Sequence, residues 1–327
     1  MIRTRLCTLL EIEHPIVLGG MASGATGPAL VAAVSNAGGL GTLGLTGLSA
    51  ETIREHMAAI RSATDKPFAV NFLLFLAQPG PFEAAVAERP ALMAFAWARQ
   101  DQELRDFFDP AHESGAKVMY QAVDVPDACR AAAAGADVIV AQGFEAGGHV
   151  GTMASFPLLP MVVDAVAPLP VVAAGGIADG RGLAAALALG AEGALLGTRF
   201  LATEEAPIHL NFKAGILASD GQDTVLTEIP DLANAQVWPG AMVRARRNRF
   251  IERWLGREAE LRRNQPEAQA EQIAARKAGD ADNAALSLGQ DAGLITEILP
   301  AGEVVRQIAA QAEEILTATL PGLVNNG

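Results

Sequence analysis

The chain has 327 residues, half of them apolar and a fifth charged, enough to bury one large core or two modest ones. Its net charge of −13 argues against nucleic acid and anionic membrane surfaces as partners. Two cysteines, Cys7 and Cys129, exclude a disulfide framework and point to a reducing, cytoplasmic setting.

Residues 1–16, MIRTRLCTLLEIEHPI, carry a short apolar patch that soon meets Glu11, Glu13 and His14, so a signal peptide is not expected. The first strand-like run is PIVLGG (15–20), followed by an Ala-rich helix over 28–37. LGTLGL (40–45) is the second run, and Ser49 with Thr52 opens a helix through 60. FAVNF (68–72) is the third. The fourth, over 92–95, is shorter and follows a helix at 82–88. KVMYQA (117–122) is the fifth, after a helical stretch that stops at Ser114 and Gly115. A helix over 127–134 leads to the sixth, VIVA (138–141). Residues 156–178 are hydrophobic enough to suggest a membrane span, but four prolines and Asp164 interrupt them. They read better as a helix (158–166) and a seventh run, PVVAA (170–174). A helix over 180–189 and GALL (193–196) complete the series.

Eight strands alternating with helices imply a parallel sheet with right-handed crossovers, and eight such units make a (β/α)8 TIM barrel. The alternative is a doubly wound open sheet, although no early GxGxxG opens the chain. The rhythm breaks at 207–289, where 211–217, 240–255 and 257–277 read as helices. This segment is expected to be an all-helical cap inserted after strand eight of a barrel formed by 1–206. The last part, 290–327, holds an amphipathic helix (303–316) that returns to the barrel wall. RARRNRFIERW (244–254) is the one strongly basic stretch, read as a solvated helix face rather than a nucleic-acid surface.

In this fold the carboxyl ends of the strands carry the chemistry. The first ends in Gly20, Met21 and Ala22, the third at Asn71, the fifth near Gln121 and the sixth at Gln142. After Gln142 comes a glycine-laced loop, GFEAGGHVG, holding Glu145, Gly148 and His149. Glycine turns after the seventh and eighth strands, with Gly175 and Gly176 in one and Gly197 and Thr198 in the other, lead into helix N-termini. Backbone N–H groups and a helix dipole make that the usual phosphate site of the fold; the plainer reading is that these glycines only form tight turns. The amides of Asn71, Gln121 and Gln142 each offer a donor and an acceptor, which suits a planar heterocycle. Together with a phosphate cradle they suggest flavin mononucleotide (FMN) lying over the strand ends. His149 is the main titratable candidate. His14, His56, His112 and His209 lie at less suitable places, and Glu145 is read as a loop anchor. No His or carboxylate spacing suggests a metal, and no GxSxG suggests a hydrolase.

PIVLGGM, SNAGGLG, KPFAVNF, AQGFEAGGHVG, PVVAAGGIADGRG and GTRFLATEEA together resemble the nitronate monooxygenase family. That family also includes FMN-dependent enoyl-acyl-carrier-protein reductases and an NADH:quinone reductase. The resemblance implies flavin contacts at Gly20, Met21, Ala22, Asn71, Gln142 and Gly148, with the phosphate on Gly175, Gly176, Gly197 and Thr198. It makes His149 the active-site histidine, acting as a base on a nitroalkane or as partner to an anionic nitronate, with O2 as final acceptor. A family histidine after the fourth strand is replaced by FAWA (95–98), and the pocket tyrosines of the bacterial nitronate monooxygenases have no counterpart, Tyr120 being the one tyrosine. SLGQDAGLI (287–295) is closer to the reductase branch.

The expected activity is therefore oxidation of alkyl nitronates, with NAD(P)H-dependent reduction of an enoyl thioester or quinone as the alternative. A flavin-free phosphate-binding lyase and a flavin-binding module without turnover are further alternatives; the first lacks a catalytic lysine or carboxylate pair at a strand end. A homodimer is the default expectation for a soluble enzyme.

Overall fold

The computed structural model describes residues 1–324. Among the described residues there are eleven strands: β1 (Ile16–Leu18), β2 (Gly41–Gly44), β3 (Phe68–Leu73), β4 (Leu92–Ala96), β5 (Lys117–Ala122), β6 (Val138–Gln142), β7 (Gly148–Val150), β8 (Val171–Ala174), β9 (Gly193–Leu196), β10 (Thr224–Thr227) and β11 (Met242–Arg246). Eight of them form one parallel sheet in the order β1-β9-β8-β6-β5-β4-β3-β2. The ends meet through Leu40, whose carbonyl accepts from Leu18 N–H and whose N–H donates to the Ile16 carbonyl, both at 2.9 Å. That contact closes the barrel.

Parallel strands covered on both faces must be apolar throughout, which is why these segments stand out as short hydrophobic runs. Side chains alternate between the two faces. Val70, Tyr120 and Ile139 pack outward beneath the helices. Ala69, Met119 and Val140 point inward, in one cluster with Leu6 and Leu10 from the helix Arg5–Leu10, which plugs the amino end. Two residues beyond these, Asn71, Gln121 and Gln142 keep the inward direction at the carboxyl end. The helix Ala301–Glu314 packs against the helices Pro28–Asn36 and Gly180–Ala188. No described helix is long and apolar enough to cross a membrane.

The segment after β9 departs from the all-helical cap expected of it. Residues 240–255 are not one helix: β11 comes first, then Asn248, whose side chain accepts from Ile251 N–H at 3.1 Å and caps the helix Arg249–Trp254. β10, β11 and β7 form a three-stranded antiparallel sheet, with His149 in register with Val243. The expected His149 loop is therefore an edge strand of this second sheet. Nor is the basic stretch wholly a solvated helix face, because Arg244 is 3% exposed. Its guanidinium lies 4.7 Å from the centre of the Phe144 ring and donates to the Phe144 carbonyl at 3.1–3.2 Å and to Thr224 Oγ1 at 3.1 Å. These contacts replace the water it gives up and tie the cap to the β6–β7 connection. The stretch 257–277 is two helices, Glu258–Arg263 and Gln265–Ala278, the second opening with Pro266 near its start.

Candidate active site

A cavity of about 430 Å³ opens at the carboxyl end of the barrel, a size that suits a cofactor or small ligand. Gly20, Met21, Ala22, Asn71, Gln121, Gln142, Gly148, His149, Gly175, Gly176, Gly197 and Thr198 all line it. The roof comes from beyond β9 and includes Asp231, Trp238 and Asp291.

The floor is polar and incompletely paired. Asn71 Nδ2 donates to the Gly20 carbonyl at 2.9 Å, so part of this amide holds the β1 loop in place. Gln142 Oε1 and Thr42 Oγ1 are buried and meet no partner. A buried acceptor without a donor costs about 1–3 kcal/mol, a cost relieved by a ligand that brings N–H or O–H groups.

The turn after β8 is a cradle. Gly175 and Gly176 have φ of +97° and +71°, backbone that L side chains rarely adopt. No described protein group accepts from either N–H. The expected helix-dipole contribution, however, is taken up internally. The Asp179 carboxylate accepts from Arg181 and Gly182 N–H at 2.9 and 3.4 Å, and Gln311 Oε1 accepts from Gly180 N–H at 2.7 Å. Three of the first N–H groups of the helix Gly180–Ala188 are thus satisfied, and an anion here would rest on the glycine turn instead. Thr198 Oγ1 is also engaged, accepting from Gly289 N–H at 3.0 Å.

That last contact places SLGQDAGLI. Gly289 meets Thr198, Gln290 N–H donates to the Glu145 carbonyl at 3.0 Å, and Asp291 is 6% exposed against the cradle. The Glu145 carboxylate accepts from Ser155 N–H at 3.1–3.2 Å, in keeping with a loop anchor. Burial, with the Glu145 charge adding to it, pushes the Asp291 carboxyl from 3.8 up to about 7. The folded protein therefore holds a proton at Asp291 that the unfolded chain has lost. Its share of stability is fully present below about pH 4, falls as pH rises and is gone above about pH 7. In Asp291→Asn that slope is expected to vanish, so the variant gains on the parent steadily as pH rises across this window. Melting temperatures of the two proteins against pH measure it, and parallel curves would contradict it.

His149 Nε2 lies 3.0 and 3.1 Å from Asp231 Oδ1 and Oδ2. Trp238 stacks on the imidazole with ring centres 3.2 Å apart and planes within 11°. Behind Trp238 stand Phe75 at 4.7 Å and Trp97 at 5.9 Å, centre to centre. Trp97 belongs to FAWA and lines the cavity, whereas Tyr120 faces outward and its hydroxyl donates to Asp127 Oδ1 at 3.2 Å. No tyrosine reaches the cavity. Asp231, Trp238 and Asp291 escaped the sequence reading. Asp291 lay within a motif that had been noted, but nothing in IPDLANAQVWPG marks an acid and an indole converging on one histidine.

Fold and site together define a (β/α)8 barrel with a polar, glycine-cradled pocket at its carboxyl end, the end at which such barrels do their chemistry. The nitronate monooxygenase family profile matches residues 3–100 and 88–311. The chain belongs to the nitronate monooxygenase family. It is 32% identical to a nitronate monooxygenase of Paraburkholderia phytofirmans, covering 94% of this chain and 95% of that one. It is 40% identical to the (3aS,4S,5R,7aS)-5-hydroxy-7a-methyl-1-oxo-octahydro-1H-indene-4-carboxyl-CoA dehydrogenase of Mycobacterium tuberculosis, over 69% of this chain. That match spans 63% of the dehydrogenase, just under two thirds of its length. Among solved structures, FabK from Thermotoga maritima superposes with a TM-score of 0.88 at 35% identity, covering 99% of this chain and all of that one.

Proposed function

We propose that this protein is an FMN-dependent oxidoreductase, with alkyl nitronates as substrate and O2 as acceptor. The observation that carries the reading is one cavity holding both unpaired donors and acceptors and a carboxylate-bound histidine. The N–H groups of Gly175 and Gly176, with Gly197 and the backbone of Thr198, would hold the phosphate. Gln142, Gln121 and Asn71 would meet the ring edge, with Gly20, Met21, Ala22 and Gly148 close against it. Bound there, FMN supplies redox chemistry that no side chain offers. His149 takes the proton from the carbon beside a nitro group, or in its protonated form faces the nitronate anion. Trp238 and Trp97 give that side of the site an apolar wall. In this reading residues 1–206 hold the flavin, 207–289 shape the substrate side and 290–327 close the wall. The working form is a cytoplasmic homodimer, a setting in keeping with free Cys7 and Cys129.

One observation favours a second reading, an oxidoreductase of an acyl thioester that uses NAD(P)H when run as a reductase. It is the 40% identity to a carboxyl-CoA dehydrogenase, together with a cavity that no tyrosine reaches. Absorbance spectroscopy tests both. The purified protein is expected to be yellow and to release FMN in a 1:1 ratio on denaturation. Under anaerobic conditions a nitronate should bleach it while NADH and NADPH do not. The reverse result selects the second reading, and a protein that takes up no FMN removes both.

A further inference from the structure

The contacts of His149 fix more than its place. A carboxylate can only accept hydrogen bonds, so Nε2 lying 3.0–3.1 Å from both Asp231 oxygens must carry a proton. Asp231 is 7% exposed, and His149 is its one ion-pair partner among the described residues. The other ring nitrogen, Nδ1, has no partner among the described residues and is not sealed off from solvent. Trp238 defines the plane of the ring by stacking, and Asp231 defines the rotation of the ring within that plane. Both arrive on one short segment. Asp231 lies in the helix Ile229–Ala233, whose start is held by Thr227 Oγ1 accepting from Ile229 N–H at 3.1 Å. The Asp231 carbonyl then accepts from Asn234 and Gln236 N–H at 3.0 and 2.9 Å, which turns the chain toward Trp238.

We infer that Asp231 is a positioning residue, holding the imidazole proton on Nε2 so that His149 Nδ1 is the atom that exchanges a proton with substrate. Resting on the oxidoreductase reading above, the inference names the working atom of that site. The Asp231 carboxylate also balances the charge when Nδ1 accepts a proton and the ring becomes imidazolium. Asp231 itself takes no part in the transfer.

Nitrogen NMR of the ¹⁵N-histidine-labelled protein reads the tautomer directly, with His149 assigned by the signals lost in His149→Ala. The neutral ring of the parent is expected to be the Nε2–H tautomer, and Asp231→Ala should leave a mixture. In flavin-loaded protein, Asp231→Asn should lower kcat about tenfold to hundredfold, the range for losing such an orienting partner. KM and flavin content should stay within about twofold, and Asp231→Glu should recover part of the loss. An Nδ1–H tautomer in the parent would overturn the inference whether or not any variant folds. So would an unchanged tautomer in Asp231→Ala, or unchanged kcat in Asp231→Asn. The NMR result stands without flavin or turnover, so failure of the oxidoreductase reading would show separately, as a protein that takes up no FMN.

Discussion

His149→Ala is expected to keep its full complement of FMN while turnover falls at least about a hundredfold, the scale on which a positioned acid–base group contributes. The two effects separate because of where the residue stands. His149 lies on β7, in the antiparallel sheet beside the barrel, and its side-chain hydrogen bonds go to Asp231. The floor amides and the glycine turn after β8 are held by other contacts, such as Asn71 to the Gly20 carbonyl and Gln311 to Gly180 N–H. Removing the imidazole leaves those intact. It also leaves the Asp231 carboxylate buried without its partner, which costs stability. His149→Gln is the control, because its amide can still donate to Asp231 but cannot act as a base. If the chemistry is lost rather than the fold, both variants should bind flavin and both should be slow. Bound-flavin absorbance with steady-state kcat decides the point, and turnover within about twofold of the parent would take His149 out of the mechanism.

The barrel was legible because its strands are buried on both sides. PIVL, FAV, VIVA and PVVAA are short apolar runs, and a strand with one face in water would alternate instead. The floor amides were legible for the same reason: once the strands are set, alternation turns Asn71, Gln121 and Gln142 inward at the strand ends. The roof obeys no such local rule. Thr224–Thr227 is a strand because it pairs with Met242–Arg246, which pairs in turn with Gly148–Val150, far earlier in the chain. MVRARRNRF has the charge pattern of a solvated helix until Phe144 and Asp223 are in place to receive Arg244 and Arg246. Likewise, Asp231 and Trp238 acquire meaning only when the cap sheet brings His149 beneath them. The glycine turn after β8 is plain in the sequence, but the donors of the helix that follows are already occupied by Asp179 and Gln311. A capping aspartate in GGIADGRG was visible in the sequence, and its consequence for those N–H groups is the part that geometry supplied.

Gly175→Val is expected to fold and to lose tight FMN binding. At φ of +97° a residue with a side chain pays about 1–2 kcal/mol, and a β-branched one has the least room to adapt. A Cβ at this position would also stand 3.1 Å from the Gly143 carbonyl oxygen and from Ala146 Cβ, tighter than ordinary contact. The backbone must move, and the Gly175 and Gly176 N–H groups move with it. A charge-assisted hydrogen bond is worth about 1.5–3 kcal/mol, so the displaced cradle loses about that much on losing one. That corresponds to a Kd for FMN raised about tenfold to hundredfold. The fold should survive because the turn follows β8 rather than interrupting it, and the pairing of Val172 with Gly193 and of Ala174 with Leu195 lies below the change. Gly80→Ala serves as the control, since a Cβ there meets nothing within 4 Å. Fluorescence titration of apoprotein with FMN should give a weakened Gly175→Val and a Gly80→Ala matching the parent. Unweakened binding in Gly175→Val would mean that the phosphate does not rest on the turn after β8, and that the unpaired donors there serve some other ligand.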